Sequence, residues 1–157
     1  MKKLATILLL ISIFAISIGC SKDRLKYTLN RQKPNTYYYT DMLVKEIKIN
    51  GISNVLTLET NLNKERNLKD EDIKSLINFF NLIKTKNFLA SSPELPKKPE
   101  FKFYISSGNE KYVINVYNEK YISVHPWDGN YPMDYIDMTD MKPLYNLYYF
   151  CKYIFEE

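Results

Sequence analysis

The sequence contains little glycine, histidine or cysteine. Its four glycines lie far apart, so no phosphate-binding loop of the GxGxxG or GxxxxGK[ST] type can be assembled. A single histidine and two cysteines are too few for the His and Cys ligand sets that most zinc sites use. These shortages exclude nucleotide-binding enzymes of those two types, and zinc enzymes or zinc fingers built from His and Cys.

The rest of the composition is that of an ordinary folded protein. The chain has 157 residues, of which 45% are hydrophobic and 25% charged, which favours one domain with its own core. Basic residues concentrate between Ser21 and Thr40, and residues 41–157 are mildly acidic. Because the folded part lacks a basic stripe, we expect no nucleic-acid partner. The abundant apolar side chains also make a stabilising cofactor unnecessary, and none is expected.

The amino terminus has the three-part pattern of an export signal. Lys2 and Lys3 precede an apolar run over residues 4–18, which is too short to span a bilayer comfortably, and Gly19-Cys20 follows. This border resembles the bacterial lipoprotein signal, in which the cysteine is lipidated and becomes the new amino terminus. The resemblance implies a lipid on Cys20 and attachment to the outer face of the cell membrane. Ser17 replaces the usual aliphatic residue, so a plain secretory signal or an uncleaved anchor is the alternative.

We therefore divide the chain into three parts. Residues 1–19 are predicted to be the lipoprotein signal peptide, residues 20–40 the lipidated cysteine and a basic tether, and residues 41–157 a single α+β domain. Lipidation of Cys20 leaves Cys151 without a partner for an intrachain disulfide. Cys151 falls on an apolar helical stripe, which favours a buried, unreactive thiol.

The first half of the domain is predicted to contain a hairpin and a helix. Two extended runs between Met42 and Glu59 flank Asn50-Gly51, a dipeptide typical of two-residue hairpin turns. Asn67 is placed to cap a helix, with Asp70 three residues later. Apolar residues then recur at helical spacing, at Ile73, Leu76, Ile77, Phe80 and Ile83. Three prolines between Ser91 and Pro99 indicate a stiff connector.

The second half is predicted to be a three-stranded meander followed by a helix. Apolar and polar residues alternate over residues 101–106, 112–117 and 121–125, with turns too short for a parallel crossover. Thr139 or Asp140 is expected to cap the last helix. Its apolar stripe contains Leu144, Leu147, Tyr148, Cys151, Ile154 and Phe155. The predicted fold class is α+β: an antiparallel sheet of about five strands in the order ββ-α-βββ-α, with the helices on one face.

The segment from His125 to Tyr135 carries the most unusual composition in the chain. It holds the only His, the only Trp and two prolines, which restrict a loop at low entropic cost. We predict a ligand-binding site in which aromatic side chains form a platform and polar side chains supply hydrogen bonds, a mixture suited to a sugar or a peptide. The aromatic residues are Trp127, Tyr131 and Tyr135, and the polar residues are Asp128, Asn130 and Asp134. Alternatively, Trp127 and Tyr135 plug the open end of the sheet.

Three other chemistries receive little support from this segment. The spacing of its acidic residues does not match the twelve-residue calcium loop, so no metal is expected. A lone histidine beside a turn is more often structural than a general base. No motif selects two carboxylates as a hydrolase pair, so no catalytic residue is assigned. A small hydrolase of cell-wall polymers with an unrecognised carboxylate pair remains the alternative function.

Three phrases of the sequence carry a resemblance to a family. KPNTYYYT, INVYNEKYISVHPWDGNYPMDYIDMT and LYNLYYFCKYI are similar to segments of small lipoproteins of unknown function from clostridial-type, low-GC Gram-positive bacteria. The resemblance implies display outside the cell and assigns no activity, cofactor or catalytic residue. We therefore expect a lipid-anchored module that binds an envelope glycan, a peptide or a protein.

Overall fold

The computed structural model describes residues 32–156. The predictions for residues 1–31, including the signal peptide and the lipidated Cys20, lie outside the described residues. The helices are α1 Tyr38–Asn50, α2 Asp70–Leu82 and α3 Leu147–Glu156. The strands are β1 Asn54–Glu59, β2 Lys64–Asn67, β3 Phe88–Leu89, β4 Phe101–Ser107, β5 Glu110–Val116, β6 Tyr121–Pro126 and β7 Asp134–Asp137. Short 3-10 turns cover Thr85–Asn87 and Pro143–Tyr145.

The strands of the described residues form one seven-stranded sheet in the order β2-β1-β4-β5-β6-β7-β3. Every neighbouring pair is antiparallel. The α+β class and the antiparallel sheet are confirmed, whereas the prediction of about five strands is wrong. The prediction missed β2, β3 and β7 because β2 is wholly polar, β3 has two residues and β7 has four.

The predicted hairpin around Asn50-Gly51 is also wrong, because its first arm is the helix α1. Leu43 is fully buried on this helix, and Lys45 forms an i, i+4 ion pair with Asp41 at 2.7 Å. Gly51 ends the helix with a φ of 68°, and its N–H donates to the Ile47 carbonyl at 2.9 Å. The Asn-Gly pair therefore provides the left-handed residue of a helix terminus rather than a hairpin turn.

The core lies on one side of the sheet, which we call the helical face. Phe101, Phe103 and Ile105 point to this face from β4 and are buried. All three helices contribute buried side chains to the same cluster: Leu43 from α1, Leu76, Phe79 and Phe80 from α2, and Leu147, Cys151 and Ile154 from α3. The Phe150 ring of α3 stacks on the Phe103 ring at 6.2 Å between centroids.

The predicted helices α2 and α3 exist, but both begin later than expected. Asn67 ends β2, and α2 starts at Asp70. In α3 the cap is Asn146, whose Oδ1 accepts a hydrogen bond from the Tyr148 N–H at 2.9 Å, because Pro143 places the preceding residues in a 3-10 turn. Leu144 therefore precedes the helix and is 82% exposed, outside the buried stripe.

The compact unit comprises Lys33–Glu157 and so begins eight residues before the boundary that the sequence suggested. Cys151 is buried in it, and burial raises the pKa of its thiol well above the ordinary value. Within residues 32–156, no helix combines the length and hydropathy that crossing a lipid bilayer requires.

Candidate functional site

Trp127 lies at the end of β6, beside the neighbouring strand β5. Tyr112 pairs with Pro126, and the next residue, Trp127, donates its N–H to the Lys111 carbonyl at 2.9 Å. The strand pairing thus continues to Trp127 and fixes its backbone. Its side chain is nevertheless 69% exposed. A large apolar ring exposed to solvent from a fixed backbone is the kind of feature that marks a binding surface.

A second aromatic ring accompanies Trp127 on the side of the sheet opposite the core, which we call the outer face. Tyr104 of β4 alternates with the buried Phe103 and Ile105 and therefore points to this face. Its ring centroid lies 6.3 Å from that of Trp127, with the planes tilted by 54°. Since β5 lies between β4 and β6 in the sheet, the two side chains approach each other across an intervening strand.

The two rings border an open cavity of about 380 Å³. Paired residues of antiparallel strands point to the same face of the sheet. Asn54 pairs with Ser106 and Ser106 pairs with Lys111, so these three side chains form a polar row that ends beside Trp127. Leu56 and Tyr104 form the adjacent row. The full lining is Asn54, Leu56, Tyr104, Ile105, Ser106, Lys111, Tyr112 and Trp127. The size and the mixture of aromatic and polar groups are typical of a small-ligand site.

Among the described residues that line the cavity, Lys111 carries the one basic side chain and none is acidic. Tyr112 stays protonated because its burial, together with the nearby Glu110 and Glu46 carboxylates, raises its pKa to about 12. Glu110 pairs with Ser107 and therefore points to the helical face, away from the outer face. The cavity thus combines two aromatic rings, two neutral hydrogen-bonding side chains and one cation.

The loop after Trp127 is held against α1. The Tyr39 hydroxyl accepts a hydrogen bond from the Tyr131 N–H at 2.6 Å. A Cβ at Gly129 would lie 2.9 Å from the same hydroxyl and 3.2 Å from Pro126 Cγ, so this position has no room for a side chain. Burial is the main cause that raises the pKa of Tyr39. Helix α1, which the sequence does not predict, is therefore what positions the Trp127 loop.

Asp134, a predicted ligand-binding residue, is fully buried at the start of β7. Its carboxylate forms an ion pair with the Lys33 ammonium and accepts a hydrogen bond from the Thr40 N–H at 2.6 Å. Lys33 also donates to the Met133 carbonyl at 3.1 Å. The carboxylate thus joins the segment before α1 to β7, and it is not part of a solvent-facing carboxylate pair.

The structure places the three aromatic residues of the predicted platform in different surroundings. Trp127 lies beside Tyr104 on the outer face. Tyr131 packs edge-on against Tyr38 of α1, with ring centroids 5.5 Å apart. Tyr135 of β7 lines a second cavity of about 490 Å³ with Lys33, Asn35, Thr36, Leu89, Ala90, Ser91, Ser92, Pro132 and Met133. The aromatic partner of Trp127 is therefore Tyr104 and not a residue of the same loop.

The remaining predicted residues lie around the loop. Asp128 and Asn130 are exposed beside Trp127. His125 donates from Nδ1 to the Pro126 carbonyl at 2.9 Å, a local backbone contact. In the part of the chain that the structure describes, no three His, Cys, Asp or Glu side chains come close enough to hold a metal ion.

Sequence reasoning selected Trp127 and missed the other seven of the eight lining residues. Asn54, Leu56, Tyr104, Ser106 and Lys111 come from three strands, and only the sheet register brings them beside Trp127. The alternation in β4 does predict that Tyr104 points away from Phe103. The order of the strands, which makes β1 a neighbour of β4, has no signal in a single sequence.

Comparisons with known proteins agree with this fold. A family model described as "Domain of unknown function (DUF4883)" matches residues 33–151. The chain belongs to the DUF4883 family. The match to DUF4883 begins at Lys33, the same residue at which the compact unit begins. None of the curated proteins is significantly similar to this chain.

A solved structure supports the same assignment. The chain is similar to a crystal structure named "Putative Lipoprotein from Clostridium perfringens", with 30% sequence identity and a TM-score of 0.72. The match covers 80% of this DUF4883 chain and 100% of the other. Together with the family match, it confirms the resemblance to small clostridial lipoproteins that the sequence indicates.

Proposed function

We propose that this DUF4883 protein is anchored to the outer face of the cell membrane by a lipid on Cys20, and that it binds an envelope glycan through the cavity beside Trp127 and Tyr104. The amino-terminal sequence supports the anchor, because a charged start, an apolar run and a small residue precede the cysteine. The name of the structural neighbour from Clostridium perfringens, "Putative Lipoprotein", agrees with it.

One observation carries the binding role: Trp127 is 69% exposed beside Tyr104, above a cavity with polar residues at its margin. An aromatic ring offers an apolar face on which the C–H groups of a sugar ring can rest. Hydroxyl groups at the edge of the sugar then require polar partners. Asn54, Ser106 and Lys111 are available for them.

The position of the cavity favours a glycan over an extended peptide. Peptides commonly bind sheets by adding a strand to a free edge, where backbone groups are unpaired. The cavity lies over β1, β4 and β5, and each of these strands already has a partner on both sides. A ligand here contacts side chains projecting from the middle of a sheet and has no strand edge to join.

The test is co-sedimentation of the purified full chain with insoluble wall glycan from which peptides and proteins have been removed. We expect Trp127→Ala and Tyr104→Ala each to weaken binding about two- to tenfold, since one lost aromatic contact is worth roughly 0.5 to 1.5 kcal/mol. Tyr145→Ala is the matched control, because Tyr145 is 44% exposed in the turn before α3.

Thermal unfolding of each variant separates a lost contact from a lost fold. The proposal is contradicted if Trp127→Ala sediments with the glycan as the wild-type chain does. It is equally contradicted if binding requires the peptides or proteins that the preparation removes, because the ligand is then not a glycan.

A further inference from the structure

We infer that the glycan bound at this cavity is acidic: Lys111 pairs with a carboxylate or phosphate group on the sugar that stacks against Trp127 and Tyr104. The inference rests on the proposed function and adds the chemical class of the ligand. Its basis is the charge of the lining, which is independent of the aromatic pair.

Lys111 is placed to meet a ligand held by the two rings. It belongs to the cross-strand row that runs from Asn54 through Ser106 to Trp127, and its carbonyl accepts the Trp127 N–H. Trp127 and Tyr104 approach each other across β5, so Lys111 lies on the strand between the two strands that carry these rings. A negative substituent of the ligand would then lie close to the ammonium.

Among residues 32–156, Lys111 forms no ion pair with a carboxylate. The ion pairs of residues 32–156 involve Lys33, Lys45, Lys86 and Lys152. Of the described residues that line the cavity, none is Asp or Glu. Lys111 is exposed, so water solvates its charge when no ligand is bound. Its contact with an anionic ligand is then worth the free energy of an exposed ion pair, at most about 1 kcal/mol.

Two acidic residues adjoin the site without entering it. Glu110 points to the helical face, and Asp128 is exposed in the loop beyond Trp127. Lys111 lines the cavity and these two acids do not, which favours a ligand that presents a negative charge to Lys111. A neutral or cationic ligand would leave Lys111 uncompensated beneath it.

The experiment compares matched soluble probes by calorimetry with the full chain. An oligogalacturonate carries carboxylates, and its methyl ester has the same sugar ring without the charge. A phosphomannan and the corresponding neutral mannan form the phosphate pair. We expect the acidic member of at least one pair to bind about fivefold more tightly than the neutral member, and the pair that shows this difference identifies the anion.

Variants assign that preference to Lys111. Lys111→Gln is expected to reduce the affinity for the acidic probe to the affinity for the neutral probe, whereas Lys111→Arg retains the preference for the acidic probe. Lys74→Gln removes the same charge from an exposed position on α2 and should have no effect. The preference should also decline as salt is raised toward about 1 M, where the screening length is roughly 3 Å.

The outcomes separate this inference from the proposed function. The inference is overturned if acidic and neutral probes bind equally, or if the preference for the acidic probe survives in Lys111→Gln. The proposed function stands in that case, provided that binding of the probes still depends on Trp127. If Trp127→Ala binds every probe as tightly as the wild-type chain, both the inference and the proposed function are wrong.

Discussion

At the scale of the residue, Gly129 shows how a loop without regular structure is held in place. The Tyr39 hydroxyl would lie only 2.9 Å from a Cβ at Gly129, and the Tyr131 N–H donates a hydrogen bond to that hydroxyl. Overpacking such a contact forces either the loop or the tyrosine to move. Gly129 therefore links the position of Trp127 to helix α1.

We predict that Gly129→Ala lowers the free energy of unfolding by about 1 to 3 kcal/mol and weakens glycan binding, because the clash displaces the Trp127 loop. Urea unfolding and co-sedimentation measure the two effects. Adding Tyr39→Phe removes the hydroxyl that clashes, so the combined cost should be smaller than the sum of the two single costs. Strict additivity, or a Gly129→Ala chain as stable as the wild type, would contradict this explanation.

Some single residues of the site can be selected from the sequence and others cannot. Trp127 stands out because it is the only tryptophan and lies between prolines after a strand. The role of Asp134 is hidden, because its partner Lys33 lies 101 positions away in a segment that the sequence suggests is a tether. A buried ion pair leaves no local pattern, so its carboxylate resembles any acidic group of a loop.

At the scale of the element, predictability follows the strength of the local pattern. Strand β4 alternates clearly, and short turns join β4, β5 and β6, so their meander is predictable. In α1 the pattern is ambiguous, because Asn-Gly suits both a hairpin turn and a helix end. The helical conformation of α1 is stabilised by Leu43, which packs into the core, and by Tyr39, which packs against the Trp127 loop. Both contacts join residues that are far apart in the sequence.

The connector between β3 and β4 is another element whose path only the whole sheet defines. Strand β3 lies at the edge of the sheet, and β4 lies four positions further in, beyond β7, β6 and β5. Residues 90–100 must therefore travel past three strands, and prolines keep this segment extended. The sequence indicates a stiff connector but not the distance that it spans.

At the scale of the whole molecule, the proposal joins an anchor at one end of the chain to a binding surface on the folded unit. We predict that mass spectrometry of the protein from its native membrane finds an acylated amino-terminal peptide that begins at Cys20. Cys20→Ala should abolish acylation and release the chain from the membrane fraction. An unacylated wild-type peptide, or a Cys20→Ala chain that stays with the membrane, would show that the anchor is wrong.

The central claim is that Trp127 itself contacts the ligand, and the composition of the chain permits a direct measurement. Trp127 is the only tryptophan, so the intrinsic tryptophan fluorescence of the full chain reports on this one side chain. Titration with a soluble acidic glycan should shift the emission to shorter wavelength and saturate at the dissociation constant found by calorimetry, because the sugar removes water from the ring. Emission that stays constant while calorimetry records binding would place the ligand elsewhere on the protein and contradict the account.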